Sequence, residues 1–91
     1  MIFKIFKHKG RELVVQVDDQ DAHLLEGTWH IANCGISRGM DKFYVRRTGP
    51  RPALKSIYLH REIACPLPGQ VVDHRDANGL NCCRANLLVT T

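Results

Sequence analysis

The sequence predicts a single α+β domain, an antiparallel sheet carrying short helices, and three observations support that reading. Apolar and polar residues alternate in several short stretches joined by Gly or Pro turns. Helix-like stretches are brief, and each meets a Gly or Pro within a turn or two. The 91 residues contain no repeat, low-complexity run or linker, so 1–91 must share one modest core.

The opening "MIFKIFKHKGRELVVQVDD" reads as a hairpin, with strands over Ile2 to Lys7 and Glu12 to Val17 and a turn at Lys9-Gly10. "DDQDAHLLEGTW" then changes period. Asp18 or Asp19 suits an N-cap, Ala22, Leu24 and Leu25 form a short apolar face, and Gly27 is the stop. Trp29, the only tryptophan, reads as a core anchor rather than a platform for stacked bases.

Gly35 and Gly39 break the next stretch, after which strands are expected at Phe43 to Arg47 and Leu54 to Leu59, joined by "TGPRP". Alternation puts Phe43 and Val45 on one face and Tyr44 with Arg46 on the other. Tyr44 there suits either a nucleotide contact or a cross-strand packing pair. "YLHREIAC" reads as one or two helical turns ended by Pro66 and Pro68, and Gly69 turns the chain into the strand "QVVDH".

Charge is distributed unevenly. The chain holds 13 Lys+Arg against 9 Asp+Glu, a net charge of +4. Arg38, Lys42, Arg46, Arg47, Arg51, Lys55 and Arg61 fall in the middle third, opposed before Glu62 only by Asp41, while Asp18, Asp19, Asp21 and Glu26 lie upstream. A phosphate backbone would select the middle third, although a solvated basic hairpin has the same composition. Cys34, Cys65, Cys82 and Cys83 show no C-x-x-C spacing, and adjacent Cys82 and Cys83 are poor joint ligands for one tetrahedral metal. With no signal-like opening and no apolar run of membrane length, the expectation is a reduced protein in the cytoplasm, without a membrane partner.

The closing half supplies the chemistry. "YLHREIA…P…VVDHRDANGLNCCRANLLVTT" resembles the HNH endonucleases of bacteriophages and mobile introns, in the subgroup with a Leu-His-Arg helix, a Val-Asp-His strand end, a Gly-containing loop and an Asn-Leu strand. The upstream "VDDQDAHLLEGTWHI…FYVRR" is similar to the N-terminal half of those proteins, which makes 1–58 a basic, β-rich part and 59–91 the HNH motif. The resemblance implies a ββα-metal core. It implies that Asp73 ligates a divalent cation, Mg²⁺ or Mn²⁺, that His74 deprotonates the attacking water, and that Asn86 holds the loop and the histidine in place. His60 and Arg61 would then lie near the bound backbone. Read without the resemblance, Asp73 suits a turn cap, His74 a packed surface position and Asn86 a turn. His60 suits helix packing, since no second metal ligand lies at helical spacing from it.

Two departures shape the functional expectation. The family completes its metal site from a helix after the Asn-Leu strand, whereas this sequence ends at Thr91, so the ββα core is expected to be incomplete. Cys82 and Cys83 stand where the family carries polar or basic residues. The first expectation is therefore a phage-encoded, HNH-derived protein without turnover or cofactor. It binds DNA, guide RNA or a host nucleoprotein through its basic residues and Tyr44, with inhibition of a CRISPR surveillance complex in a bacterial host as a concrete form. The alternative is an active HNH endonuclease or nickase that uses Asp73 and His74. An apolar sheet face left uncovered calls for a partner or a homodimer, and a purely structural interaction protein is the third reading.

Overall fold

The computed structural model describes residues 1–37 and 39–91, so Arg38 lies outside the described residues. Strands β1 (Ile2–His8) and β2 (Arg11–Val17) pair antiparallel in unbroken register from Ile2 opposite Val17 to His8 opposite Arg11. Lys9 and Gly10 both take left-handed backbone at the turn, with φ of 50° and 78°. A two-residue turn of that hand matches strand twist, and glycine adopts it without steric cost. Val15 and Val17 on one face of β2 are fully buried, whereas Phe3, Ile5 and Val14 on the opposite face are exposed.

The segment expected to be a short helix is a 3-10 helix, Asp19–Glu26. Asp18 precedes it without a side-chain cap bond, its carbonyl accepting the Asp21 amide at 2.9 Å in the tighter i to i+3 pattern. Asp21 ties the segment to the rest of the fold. Its carboxylate turns inward and is 2 % exposed, held by Arg84 through Nε at 3.0 Å and Nη2 at 2.8 Å. Gly27 is not a left-handed stop, since its φ is −75°. Instead the Trp29 indole, buried as expected, donates to the Leu24 carbonyl at 2.6 Å and occupies an acceptor that the helix end leaves free.

The stretch expected to be broken by glycines forms β3 (His30–Ser37), paired with β4 (Met40–Thr48). A register shift between Asn33 and Ile36 absorbs Gly35, whose φ is 106° and whose amide donates to Asn33 Oδ1 at 2.9 Å. β5 covers only Ser56–Tyr58, shorter than expected, because Leu54 takes a left-handed φ of 49° and Leu59 already opens α1 (Leu59–Ala64). α1 closes at Cys65, left-handed at φ 49°, whose amide donates to the Arg61 carbonyl at 2.8 Å just before Pro66. β6 (Val71–His74) and β7 (Leu87–Thr90) form the last hairpin, with Asp73 opposite Leu88 and His74 opposite Leu87.

The architecture is α+β, with mostly antiparallel strands and few, short helices. In place of the one sheet expected, the described strands form three: β1-β2, β3-β4-β5 and β6-β7. Loops join them where ladders would. The Gln16 amide donates to the Leu80 carbonyl at 2.9 Å and its carbonyl accepts the Cys82 amide at 2.8 Å, a bridge too short to extend a sheet. Val15, Val17, Leu25, Trp29, Val45, Leu59, Ile63, Leu80 and Cys82 make the core between the sheets. Cys82 is wholly buried, and burial pushes its thiol up to about 12, so it packs as a small apolar residue. Among the described residues no helix is long and apolar enough to cross a membrane.

Candidate functional site

Alternation along β6 sets the site. Val72 and His74 point inward and Val71 and Asp73 outward, so the Asp-His pair divides between core and surface at the strand end. His74 is 7 % exposed, while Asp73 is exposed and, among the described residues, its Oδ1 accepts only the His74 amide, at 3.0 Å. The remaining lone pairs of Asp73 face an open cleft of about 1100 Å³, bounded by β4, the start of β2 and the loop after β6.

His74 sits in a cluster of rings drawn from four elements. Tyr44 of β4 stacks on it at 5.7 Å between centroids, and His60 of α1 meets it nearly edge-on at 4.9 Å. Tyr44 also lies 5.1 Å from His60 and 5.9 Å from Tyr58. His60 is buried like His74, and His60 Nδ1 and His74 Nε2 have no hydrogen-bond partner among the described residues. Burial pushes His60 down to about 4, assisted by His74 and Arg61, whose positive charges oppose its protonation. Burial also lowers His74, against the opposing pull of Asp76 and Asp73 and with help from Lys42. Both imidazoles are neutral at pH 7.

The loop after His74 is built by side-chain amides around one carboxylate. Asp76 accepts from the Asn78 amide at 2.9 Å, Asn81 Nδ2 at 3.0 Å and Asn86 Nδ2 at 2.9 Å. Slight burial opposes ionisation, but these bonds hold its carboxyl below the usual carboxylate range. Asn86 also donates to the Asn81 carbonyl at 2.9 Å and accepts the Asp76 amide at 3.1 Å, so it clamps both ends of the loop. Gly79 lets the loop lie directly on β4: a Cβ there would stand 1.9 Å from the Phe43 carbonyl oxygen and 2.6 Å from the Tyr44 ring.

The predicted basic residues do not gather in one patch. Lys42 lines the cleft, its ammonium 5.3 Å from the Tyr44 ring centroid. Arg46 shares the Tyr44 face of β4 and is exposed, opposite Tyr58 and His30. Arg47 falls on the core face, half-buried, with its guanidinium 5.1 Å from the Trp29 ring. Arg51 and Lys55 sit exposed in the β4-β5 connection, about 20 Å along β4 from Lys42 at the usual strand rise. Arg61 is exposed on α1. Arg11 and Arg75, which sequence reasoning passed over, line the cleft instead, with Arg11 Nη1 3.3 Å from Asp41 Oδ2 and its guanidinium 5.6 Å from the Phe43 ring. The "RDANG" turn chemistry signals Arg75, but nothing local signals Arg11, which meets the cleft through Asp41, thirty residues on, and Phe43 of β4.

Asp41, Asp73 and Asp76 balance Arg11, Lys42 and Arg75 around the cleft. Asp41 is paired and Asp76 is saturated by amides, which leaves Asp73 as the carboxylate open to a ligand. Among the described residues no three His, Cys, Asp or Glu side chains converge as a metal cage. Comparison with protein-family models, curated proteins and solved structures finds no match.

Proposed function

We propose that the chain binds the phosphodiester backbone of a nucleic acid in the cleft, and that β6, the amide-braced loop and β7 are the ββ part of an HNH-type core. The observation that carries this reading is the exposed Asp73 carboxylate at a strand end, with neutral His74 buried behind it, on a cleft rimmed by Lys42, Arg75 and Arg11. Lys and Arg supply the affinity for phosphate oxygens, and the clamped loop fixes where they stand. The ligand is free DNA or RNA, or a strand displayed by a nucleoprotein such as an RNA-guided CRISPR surveillance complex, whose occupation would inhibit it.

A direct test is fluorescence anisotropy with labelled single-stranded DNA, duplex DNA and RNA over a salt series. Lys42→Ala with Arg75→Ala is expected to weaken binding at least roughly tenfold and to flatten the salt dependence by about two charges. Arg51→Ala with Lys55→Ala, at the far end of β4, is expected to do less. Equal losses from the two pairs, or binding indifferent to salt, would remove the cleft from the account.

A second reading, turnover, is favoured by the same two residues. A neutral imidazole accepts a proton from water, and the exposed Asp73 carboxylate is a suitable oxygen donor for Mg²⁺ or Mn²⁺. A hard cation takes about six oxygen ligands, so Asp73 would hold it jointly with substrate phosphate and water. Nicking of supercoiled plasmid that Asp73→Ala and His74→Ala both abolish would establish this reading. Cleavage shared by the variants would refute it.

A further inference from the structure

The outer face of the β1-β2 hairpin lies away from the cleft. It presents Phe3, Ile5 and Lys7 from β1 and Glu12 and Val14 from β2, with half-buried Gln16 at its edge turned also to Cys83 Sγ at 3.7 Å, and the register sets Phe3 opposite Gln16, Ile5 opposite Val14 and Lys7 opposite Glu12. Phe3 and Ile5 are each 60 % exposed and Val14 46 %, while their neighbours on the other face, Val15 and Val17, are wholly buried. Met1, also exposed, extends the apolar area, its sulfur accepting from Gln16 Nε2 at 3.0 Å. A strand pair apolar on both faces is the pattern of a sheet covered on both sides, and contiguous apolar surface of this kind marks an interaction site.

The register also indicates what covers it. We propose that this face packs against the same face of a second copy of the chain, across a two-fold axis parallel to the strands. Such an axis lays β1 of one copy over β2 of the other at equal height along the strands. Ile5 then meets Val14 of the second copy, Phe3 meets Gln16, and Lys7 meets Glu12, each contact occurring twice. The self-match is both apolar and electrostatic: the central pair is aliphatic, and the charged row places opposite charges together on both sides of the axis. A flat turn of one copy by 180° within the face would instead set Lys7 over the Phe3 end and leave Glu12 without a cation.

Two consequences follow from the geometry. The face is one hairpin wide, which belongs with small, weak interfaces, and association is expected in the range of ~10–100 µM. Arg11 and Leu13 reach the cleft from the opposite face of β2, so both clefts of the dimer remain open and point away from each other. The inference therefore stands whether or not the cleft binds nucleic acid.

The test is sedimentation velocity of the whole chain from about 5 to about 500 µM, a range that brackets the expected affinity, with thermal melts of every variant to confirm the fold. Wild type is expected to shift from monomer to dimer across that range, and Val14→Lys to remain monomeric with a melt like wild type. Lys7→Glu alone is expected to weaken the dimer at least roughly tenfold by placing two like-charged pairs across the axis. Lys7→Glu with Glu12→Lys restores opposite charges and should recover most of the loss; because Lys7 also faces Glu12 within its own hairpin, the melts separate the two causes, and a Lys7→Glu melt like wild type assigns the loss to the contact between copies. A wild-type protein monomeric at the highest concentration would overturn the proposal and leave this face to a different protein or a lipid surface. Dimerisation by Val14→Lys equal to wild type, or a double swap no better than the single one, would overturn it too.

Discussion

Single residues decide where the cleft lies. Gly79 touches no ligand in any reading, yet it lets the loop reach the backbone of β4, because a Cβ would overlap the Phe43 carbonyl oxygen. Gly79→Ala is expected to cost about 1–3 kcal/mol of stability through forced separation of loop and strand. Urea denaturation reads this directly, and an unchanged midpoint would mean that the loop does not rest on β4. The strand end that carries Asp73 and His74 was legible in the sequence because alternation and the "DANG" turn are local signals, whereas their roles were expected only from the resemblance. Asp76 was not singled out, since adjacency gives no hint that one carboxylate gathers donors from Asn78, Asn81 and Asn86. Arg47 also escaped sequence reasoning: its place in a basic run suggested phosphate, whereas the odd-numbered face of β4 sends it to Trp29. Cys82 and Cys83 read as departures from a polar pattern, and the fold shows them spent on packing.

Elements fared differently according to how local their causes are. The pairing of β6 with β7 spans a long loop and was expected only from the resemblance, whereas the first hairpin could be read because alternation and turn residues lie within a few positions of each other. β3 could not, because a glycine inside a strand reads as a break unless the bulge that accommodates it is known. Asp21 inside the 3-10 helix Asp19–Glu26 is held by Arg84, far along the chain, and no window of sequence contains both. The loop between β6 and β7 shows how an irregular element can still be rigid, since Asn86 bonds to both of its ends. Asn86→Ala removes three hydrogen bonds and is expected to release this loop without melting the core. Amide hydrogen exchange should then quicken for Asn78 to Cys83 by at least roughly tenfold while Val15, Val17 and Val45 keep their protection. Equal acceleration in those core strands would make Asn86 a determinant of global stability instead.

At the scale of the whole molecule, three small sheets are held together by packing, and one polar cluster bridges two of them. His60 on α1, Tyr44 and Tyr58 on the central sheet and His74 on the last hairpin meet ring to ring. Protonating either imidazole places a charge where its neighbour is another imidazole and where Nδ1 of His60 and Nε2 of His74 lack partners among the described residues. In the unfolded chain a histidine titrates near its ordinary 6.5, whereas His60 in the fold waits until about 4 and His74 is shifted the same way. Between those values the unfolded chain binds more protons than the folded one, so acid favours unfolding. The stability contributed by the neutral pair is complete above pH 6.5 and is lost as the pH falls through the window towards 4. The melting temperature is therefore expected to be flat between about pH 7 and 8, below the range where the Cys82 thiol of the unfolded chain begins to ionise, and to decline from about 6.5 downwards. His60→Phe keeps a ring against Tyr44 and Tyr58 but removes one proton acceptor, so its melting temperature should fall less steeply across the same interval. A variant with the wild-type slope would show that this cluster is not what acid attacks, and would move the cause to the carboxylates that titrate below it, Asp76 among them.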